Sequence, residues 1–263
     1  GISTAALGFG GRSPNKANNE EYNGTSWTEK NDLNTARHSM STSGTTTSAL
    51  SIGGENGGYT GIVEEWNGTC WAETTDLNTL RGEGGGAGAN AEQALIFGGA
   101  SPPGKHALTE QWNGTAWQEV ADLNTTRFQV QSGVGKSYTA ALCVGGRNPP
   151  PSYLANSEQY NGTCWTETND LNTARATARG QTGTSTSAIS VGGIPGYVTN
   201  NEDWNGASWV EVADLNAGRS GAGGAGSDST SAIIYGGYNP PSYLTSSEIW
   251  SSTSVTGKTI STD

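Results

Sequence analysis

Six short apolar runs punctuate this chain, and each is closed by a pair of glycines. The pairs are Gly10-Gly11, Gly53-Gly54, Gly98-Gly99, Gly145-Gly146, Gly192-Gly193 and Gly236-Gly237, spaced 43 to 47 residues apart. The runs before them, among them Ala-Leu-Ser-Ile at 49–52 and Ala-Ile-Ile-Tyr at 232–235, are too short for helices and rich in β-prone residues. Each predicts a buried strand, here called strand b.

A polar segment of constant layout follows every run. A Glu stands two positions before an aromatic: Glu20/Tyr22, Glu64/Trp66, Glu110/Trp112, Glu158/Tyr160, Glu202/Trp204 and Glu248/Trp250. This is strand c. Five copies continue with Asn-Gly, a second Trp (Trp27, Trp71, Trp117, Trp165, Trp209) on strand d, then Asp-Leu-Asn and an Arg. The arginines are Arg37, Arg81, Arg127, Arg175 and Arg219, each 17 residues after its Glu. Asn-Gly between β-prone runs predicts a tight hairpin of type I′, because both residues tolerate positive φ. The Gly-, Ala- and Ser-rich stretches after Arg, such as 38–44 and 82–89, predict a crowded inner strand a.

Four strands per unit and six units in radial repetition predict an all-β, six-bladed β-propeller spanning residues 1–263 as one domain. The chain opens on strand b (3–9), so the first blade lacks its inner strand. Residues 254–261 align with strand d of the sixth unit, with Val255 at the Trp position. The missing inner strand is expected either upstream or from residues 258–263.

The combination of Gly-Gly ending strand b, aromatics in strands c and d, and Arg opening the next blade resembles the kelch family over essentially the whole chain. The resemblance implies a six-bladed ring. The wording of these repeats, N-G-T-x-W-x-E followed by D-L-N-T-x-R, also resembles kelch-type repeats in virion proteins of marine bacteriophages. That implies a virion-surface or tail-fibre component, in virions or otherwise extracellular. Such a protein would contact host-surface glycans or neighbouring virion proteins, often as a homo-oligomer. A secreted or cell-surface carbohydrate-binding propeller is the alternative, with a glycan-active enzyme behind it.

Composition agrees with many short strands and turns: 32% hydrophobic and 14% charged residues, with 40 Gly and nine Trp. No apolar run approaches the ~18–20 residues of a membrane helix, so membrane insertion is not expected. A net charge of −11 argues against a nucleic-acid partner, which needs clustered Lys and Arg. Cys70 and Cys164 occupy one repeat position two blades apart, too distant for a disulfide, so free thiols are expected.

Strand alternation places the b–c and d–a loops together on one face. The b–c loops differ in every copy while the c–d turns are uniform, so recognition is expected on the b–c/d–a face. Prolines stiffen several of these loops, including Pro149, Pro150 and Pro151. Tyr59, Tyr153, Tyr197, Tyr238 and Tyr243 offer stacking surfaces there. Arg12, Lys16, Lys105, His106 and Arg147 add positive or titratable groups despite the acidic total. Of these, Tyr153, Tyr197, Tyr238, Tyr243, Arg12, Lys105, His106 and Arg147 form the candidate ligand-binding set.

The five repeated arginines could ring the channel mouth and hold a carboxylate or phosphate. An Arg recurring in every copy is better explained by a tie to the repeat's own Asp, Glu or carbonyl groups. Six identical Glu positions are poor candidates for a unique catalytic acid. His38 and His106 belong to no metal-ligand pattern, G-x-S-x-G is absent, and the b–c loops hold only Glu55 as a carboxylate. No catalytic residue, metal or cofactor is expected. Asn-x-Thr at Asn23, Asn67, Asn113, Asn124 and Asn161 is read as turn chemistry before glycan acceptance.

Overall fold

The computed structural model describes residues 1–130, 134–148, 152–177 and 182–252. It is an all-β ring of six blades with strands antiparallel within each blade. Blade 2 gives the pattern: strand a is Ser41–Gly44, strand b Ala49–Ile52, strand c Val63–Trp66 and strand d Trp71–Glu73. Blades 3 to 5 repeat this order in four-stranded sheets. Blade 1 has three strands, Ala6–Gly11, Lys16–Tyr22 and Trp27–Lys30, which correspond to b, c and d. In blade 6 strands a to c are described (Gly223–Asp228, Ser231–Tyr235, Ser247–Ser251). Residues 253–263, which include Val255 and the expected donor of a closing strand, lie outside the described residues.

The sequence dictates this arrangement layer by layer. Nearest the axis, strands such as Gly85–Ala87 carry only small residues because neighbours converge there; a Cβ on Gly86 would lie 2.6 Å from the Thr42 carbonyl of the preceding blade. Strand b is buried on both faces, as Ala-Leu-Ile-Phe at Ala94–Phe97 shows. Strand d is buried only at its Trp and exposes the next two residues.

Blades adhere through aromatics. Phe9 of blade 1 meets Trp71 of blade 2 edge-on at 4.7 Å, and Phe97 meets Trp165 at 4.8 Å. Tyr235 of blade 6 meets Trp27 of blade 1 in the same way at 4.8 Å. Trp27 Nε1 donates to Ser247 Oγ as Trp209 Nε1 donates to Ser157 Oγ. The sixth joint therefore closes the ring with the chemistry used elsewhere.

Blades 2 to 6 are each pinned by the repeated Glu. Glu64 accepts hydrogen bonds from the Asn34 and Thr35 backbone N–H groups and the Asn34 side chain, and pairs with Arg37. Equivalent ion pairs are Arg81–Glu110, Arg127–Glu158, Arg175–Glu202 and Arg219–Glu248, at 2.5 to 3.1 Å. The loop linking one blade to the next is thus clamped to the blade it enters, while its Leu is buried.

The c–d connection departs from the expected two-residue turn. Strand partners Tyr22 and Trp27 flank a four-residue loop closed by Asn23 N–H donating to the Ser26 carbonyl. Only Gly24 adopts positive φ, +93°. Asn23 Oδ1 instead accepts the N–H groups of Thr25 and Ser26, an arrangement that needs an Asn side chain rather than a left-handed Asn. The motif repeats at Asn67, Asn113, Asn161 and Asn205.

Candidate functional site

Isolated backbone bridges establish which loops share a face. The residue after each Arg pairs with the residue after the following Gly-Gly: His38 with Glu55, Gly82 with Ala100, Phe128 with Arg147, Ala176 with Ile194, and Ser220 with Tyr238. The d–a and b–c loops therefore meet as one surface around the channel.

One residue further along, the chain turns sharply into strand a. Ser39, Glu83, Gln129, Thr177 and Gly221 all adopt left-handed backbone, with φ between 54° and 65°. Neighbouring copies are tied into a belt: Glu83 N–H donates to the Ser39 carbonyl, Thr177 N–H to Gln129, and Gly221 N–H to Thr177, at 2.9 to 3.0 Å. The belt over-determines a conformation that non-glycine residues otherwise avoid. One constant backbone position thus carries five different residues at the channel mouth, four of them with side chains.

The mouth has two unlike halves. Across blades 2 to 4 runs a polar arc. Tyr59 Oη reaches Glu83 Oε2 at 3.5 Å, Gln129 Nε2 donates to Glu83 Oε1 at 3.2 Å, and Arg147 Nη1 donates to Gln129 Oε1 at 3.4 Å. Burial, reinforced by Glu83 and Glu55, pushes the Tyr59 hydroxyl up to about 12, so it stays a protonated donor. Thr177 Oγ1 is buried without a hydrogen-bond partner among the described residues.

Across blades 5, 6 and 1 runs an aromatic arc. Tyr197 and Tyr238 lie 5.7 Å apart, Tyr238 and Tyr243 lie 5.0 Å apart, and Tyr243 Oη bonds Ser13 at 2.9 Å. Tyr197 is itself left-handed, at φ 53°. Its turn passes so close to Gly218 that a Cβ there would sit 1.9 Å from the Tyr197 carbonyl oxygen, so glycine is required beneath it. Both arcs border one channel of about 1290 Å³.

The sequence-predicted residues fall into three groups. Tyr197, Tyr238, Tyr243 and the exposed Arg12 line the channel. Lys105, Arg147 and Tyr153 gather instead around Phe128: Lys105 Nζ stands 4.2 Å from that ring, and Arg147 lies 5.8 Å from it and 5.1 Å from Tyr153. His106 is turned onto Ser101 at 2.7 Å, and burial, aided by Arg81 and Lys105, holds its imidazole below the usual range. Pro149, Pro150 and Pro151 lie outside the described residues.

The five arginines present no guanidinium to the mouth. Arg37, Arg81, Arg127, Arg175 and Arg219 are each at most 1% exposed and paired with Glu. Burial pulls Arg81, Arg175 and Arg219 below the ordinary range, and Glu110, Glu202 and Glu248 respectively oppose it.

Sequence reasoning missed Ser39, Glu83, Gln129, Phe128 and Thr177. The readable signal was at the two positions after each Arg, where the copies differ while the Asp-Leu-Asn and Arg before them do not. It also missed that three b–c loops are themselves ribbons, such as Arg147–Asn148 with Ser152–Tyr153 and Tyr238–Asn239 with Ser242–Tyr243. Among the described residues no three His, Cys, Asp or Glu side chains gather into a metal-binding group. Compared with models of known protein families and with curated proteins, the chain matches none.

Proposed function

We propose that this propeller is a non-enzymatic recognition module that takes a carbohydrate chain at its channel mouth. The carrying observation is the belt: a fixed backbone presents Ser39, Glu83, Gln129, Thr177 and Gly221 at one geometric position. A scaffold that repeats its frame and varies its tips supports selective contact rather than uniform packing. The two arcs fit the two faces of a sugar. The tyrosines supply ring surfaces for apolar C–H faces, and the carboxylate, amide and guanidinium groups supply donors and acceptors for hydroxyls.

The resemblance of the repeats to kelch-type phage virion proteins extends this reading to a virion-surface or tail-fibre component whose ligand is a host glycan. A docking role toward neighbouring virion proteins would use the same face.

A glycan array on the purified chain tests the proposal, with two variants beside it: Tyr197→Ala with Tyr243→Ala, and Glu83→Gln. Selective binding that falls by at least about tenfold in both, with thermal stability near that of the parent, is the expected result. Binding to no glycan, or binding indifferent to both variants, would overturn it.

A further inference from the structure

One corner of the mouth face runs against the net charge of −11. The five repeated arginines are buried on glutamates, and Lys30 pairs with Glu21. Lys105 and Arg147 are half-buried, and neither forms an ion pair among the described residues.

Two blades build this corner. Lys105 ends the ribbon of Ala100–Ser101 with Gly104–Lys105 in blade 3, and Arg147 opens the ribbon of blade 4 directly opposite Tyr153. Phe128 comes from the link between the two blades and exchanges backbone hydrogen bonds of 3.0 and 2.8 Å with Arg147. Both cationic heads are held to its ring, Lys105 Nζ at 4.2 Å and the Arg147 guanidinium carbon at 5.8 Å. Tyr153 stands 5.1 Å from the same carbon. The backbone pairing of Phe128 with Arg147 recurs as His38–Glu55, Gly82–Ala100, Ala176–Ile194 and Ser220–Tyr238. None of those copies sets a Lys or Arg in the frame, so the repeat itself does not require one here.

A ring face attracts a cation through its quadrupole and leaves the charge in place. Two like charges drawn to one ring raise each other's energy, and a bound anion relieves that repulsion. The positive field extends to His106, whose imidazole is held below the usual range by burial first and then by Arg81 and Lys105. The Arg147 guanidinium is also short of acceptors. Its Nε is buried without a hydrogen-bond partner, and Nη1 has the long bond of 3.4 Å to Gln129, whose amide donates onward to Glu83.

We propose that this corner is the subsite for the anionic group of an acidic sugar, a carboxylate or a sulfate ester, on the saccharide chain that the mouth takes. The inference rests on the carbohydrate reading and names its substrate class. A planar guanidinium receives two oxygens of such a group side by side, while the lysine adds a point charge. Nucleic acid fits less well. Two cations neutralise too few phosphates, and Lys105 occupies the Phe128 ring on which a base would stack.

A glycan array that carries each acidic glycan beside its neutral parent tests the proposal on the purified chain. Uronic-acid glycans probe the carboxylate, and sulfated glycans probe the sulfate ester. At least one bound pair should favour the acidic member at least about tenfold, and added salt should erode that preference. Lys105→Met and Arg147→Met keep an apolar stem over Phe128 and remove the charge. Each should abolish most of the preference while melting close to the unmodified chain. Acidic and neutral members bound alike, or a preference that survives both variants, would overturn the proposal and leave the carbohydrate reading standing. Binding to no glycan would overturn both. Oligothymidylate held more tightly than every acidic glycan would overturn it in favour of a nucleic-acid partner.

Discussion

Glu158 takes hydrogen bonds from the Asn124 and Thr125 backbone N–H groups and the Asn124 amide, and pairs with Arg127 at 2.6 Å. Removing the cation leaves a buried carboxylate without its counter-charge, its desolvation offset only by those hydrogen bonds. Arg127→Ala should therefore cost about 3–5 kcal/mol in urea unfolding. Glu20→Gln, at the same repeat position but exposed and with no ion pair among the described residues, should change stability by less than about 0.5 kcal/mol. Cysteines divide just as sharply. Cys70 and Cys164 are exposed in c–d turns, whereas Cys143 is fully buried in strand b, where burial pushes its thiol up to about 12. A thiol-reactive dye should label two cysteines in the native protein and all three after denaturation. The recurrence of Arg and Glu was legible, but their fixed 17-residue spacing does not join ion-pair partners, which stand 27 to 31 residues apart across the unequal b–c loops. The left-handed belt was not legible. Ser39, Glu83, Gln129 and Thr177 are ordinary polar residues in the sequence, and only the ring's hydrogen bonds force them into that conformation.

At the scale of strands and turns, the Gly-Gly doublets show what the repeat demands. Gly98 has φ +64°, and a Cβ there would lie 2.8 Å from the Arg127 carbonyl oxygen. Gly57 has φ +73° but nothing within 4 Å. Gly57→Ala should lower stability by about 1–2 kcal/mol, the left-handed cost alone. Gly98→Ala should cost clearly more, because backbone must also move; thermal unfolding of the two variants distinguishes them. Strands b, c and d were legible because their aromatic and apolar positions recur. The ribbons in the b–c loops were not, since each differs in sequence and two-residue strands leave no periodicity to read. The type I′ expectation failed because Asn-Gly permits several loops, and here the strand pair Tyr22–Trp27 sets a four-residue connection.

At the scale of the whole ring, the closing joint reuses the contacts of the other joints: Tyr235 on Trp27 stands for Phe9 on Trp71. Closure at six blades therefore follows from the repeat, while the identity of the mouth follows from residues the repeat leaves free.

The burial of five arginines against five glutamates has a consequence for how molecules of this protein meet one another. Those ion pairs remove cations from the outside, and strand d then exposes Glu29, Glu73, Glu119, Glu167 and Glu211, with Asp32, Asp76, Asp122, Asp170 and Asp214 just beyond. Along blades 1 to 5 the outer edge is a fence of negative charge, in which Lys30 of blade 1 is a cation paired with Glu21. Arg12, Lys16, Lys105 and Arg147 stand inside it on the mouth face. Two such discs approaching edge to edge through blades 1 to 5 repel, and salt screens that repulsion beyond about a Debye length. Approach along the axis avoids the fence, so in crowded or ordered arrays these molecules are freer to stack or stand face-on than to tile through blades 1 to 5.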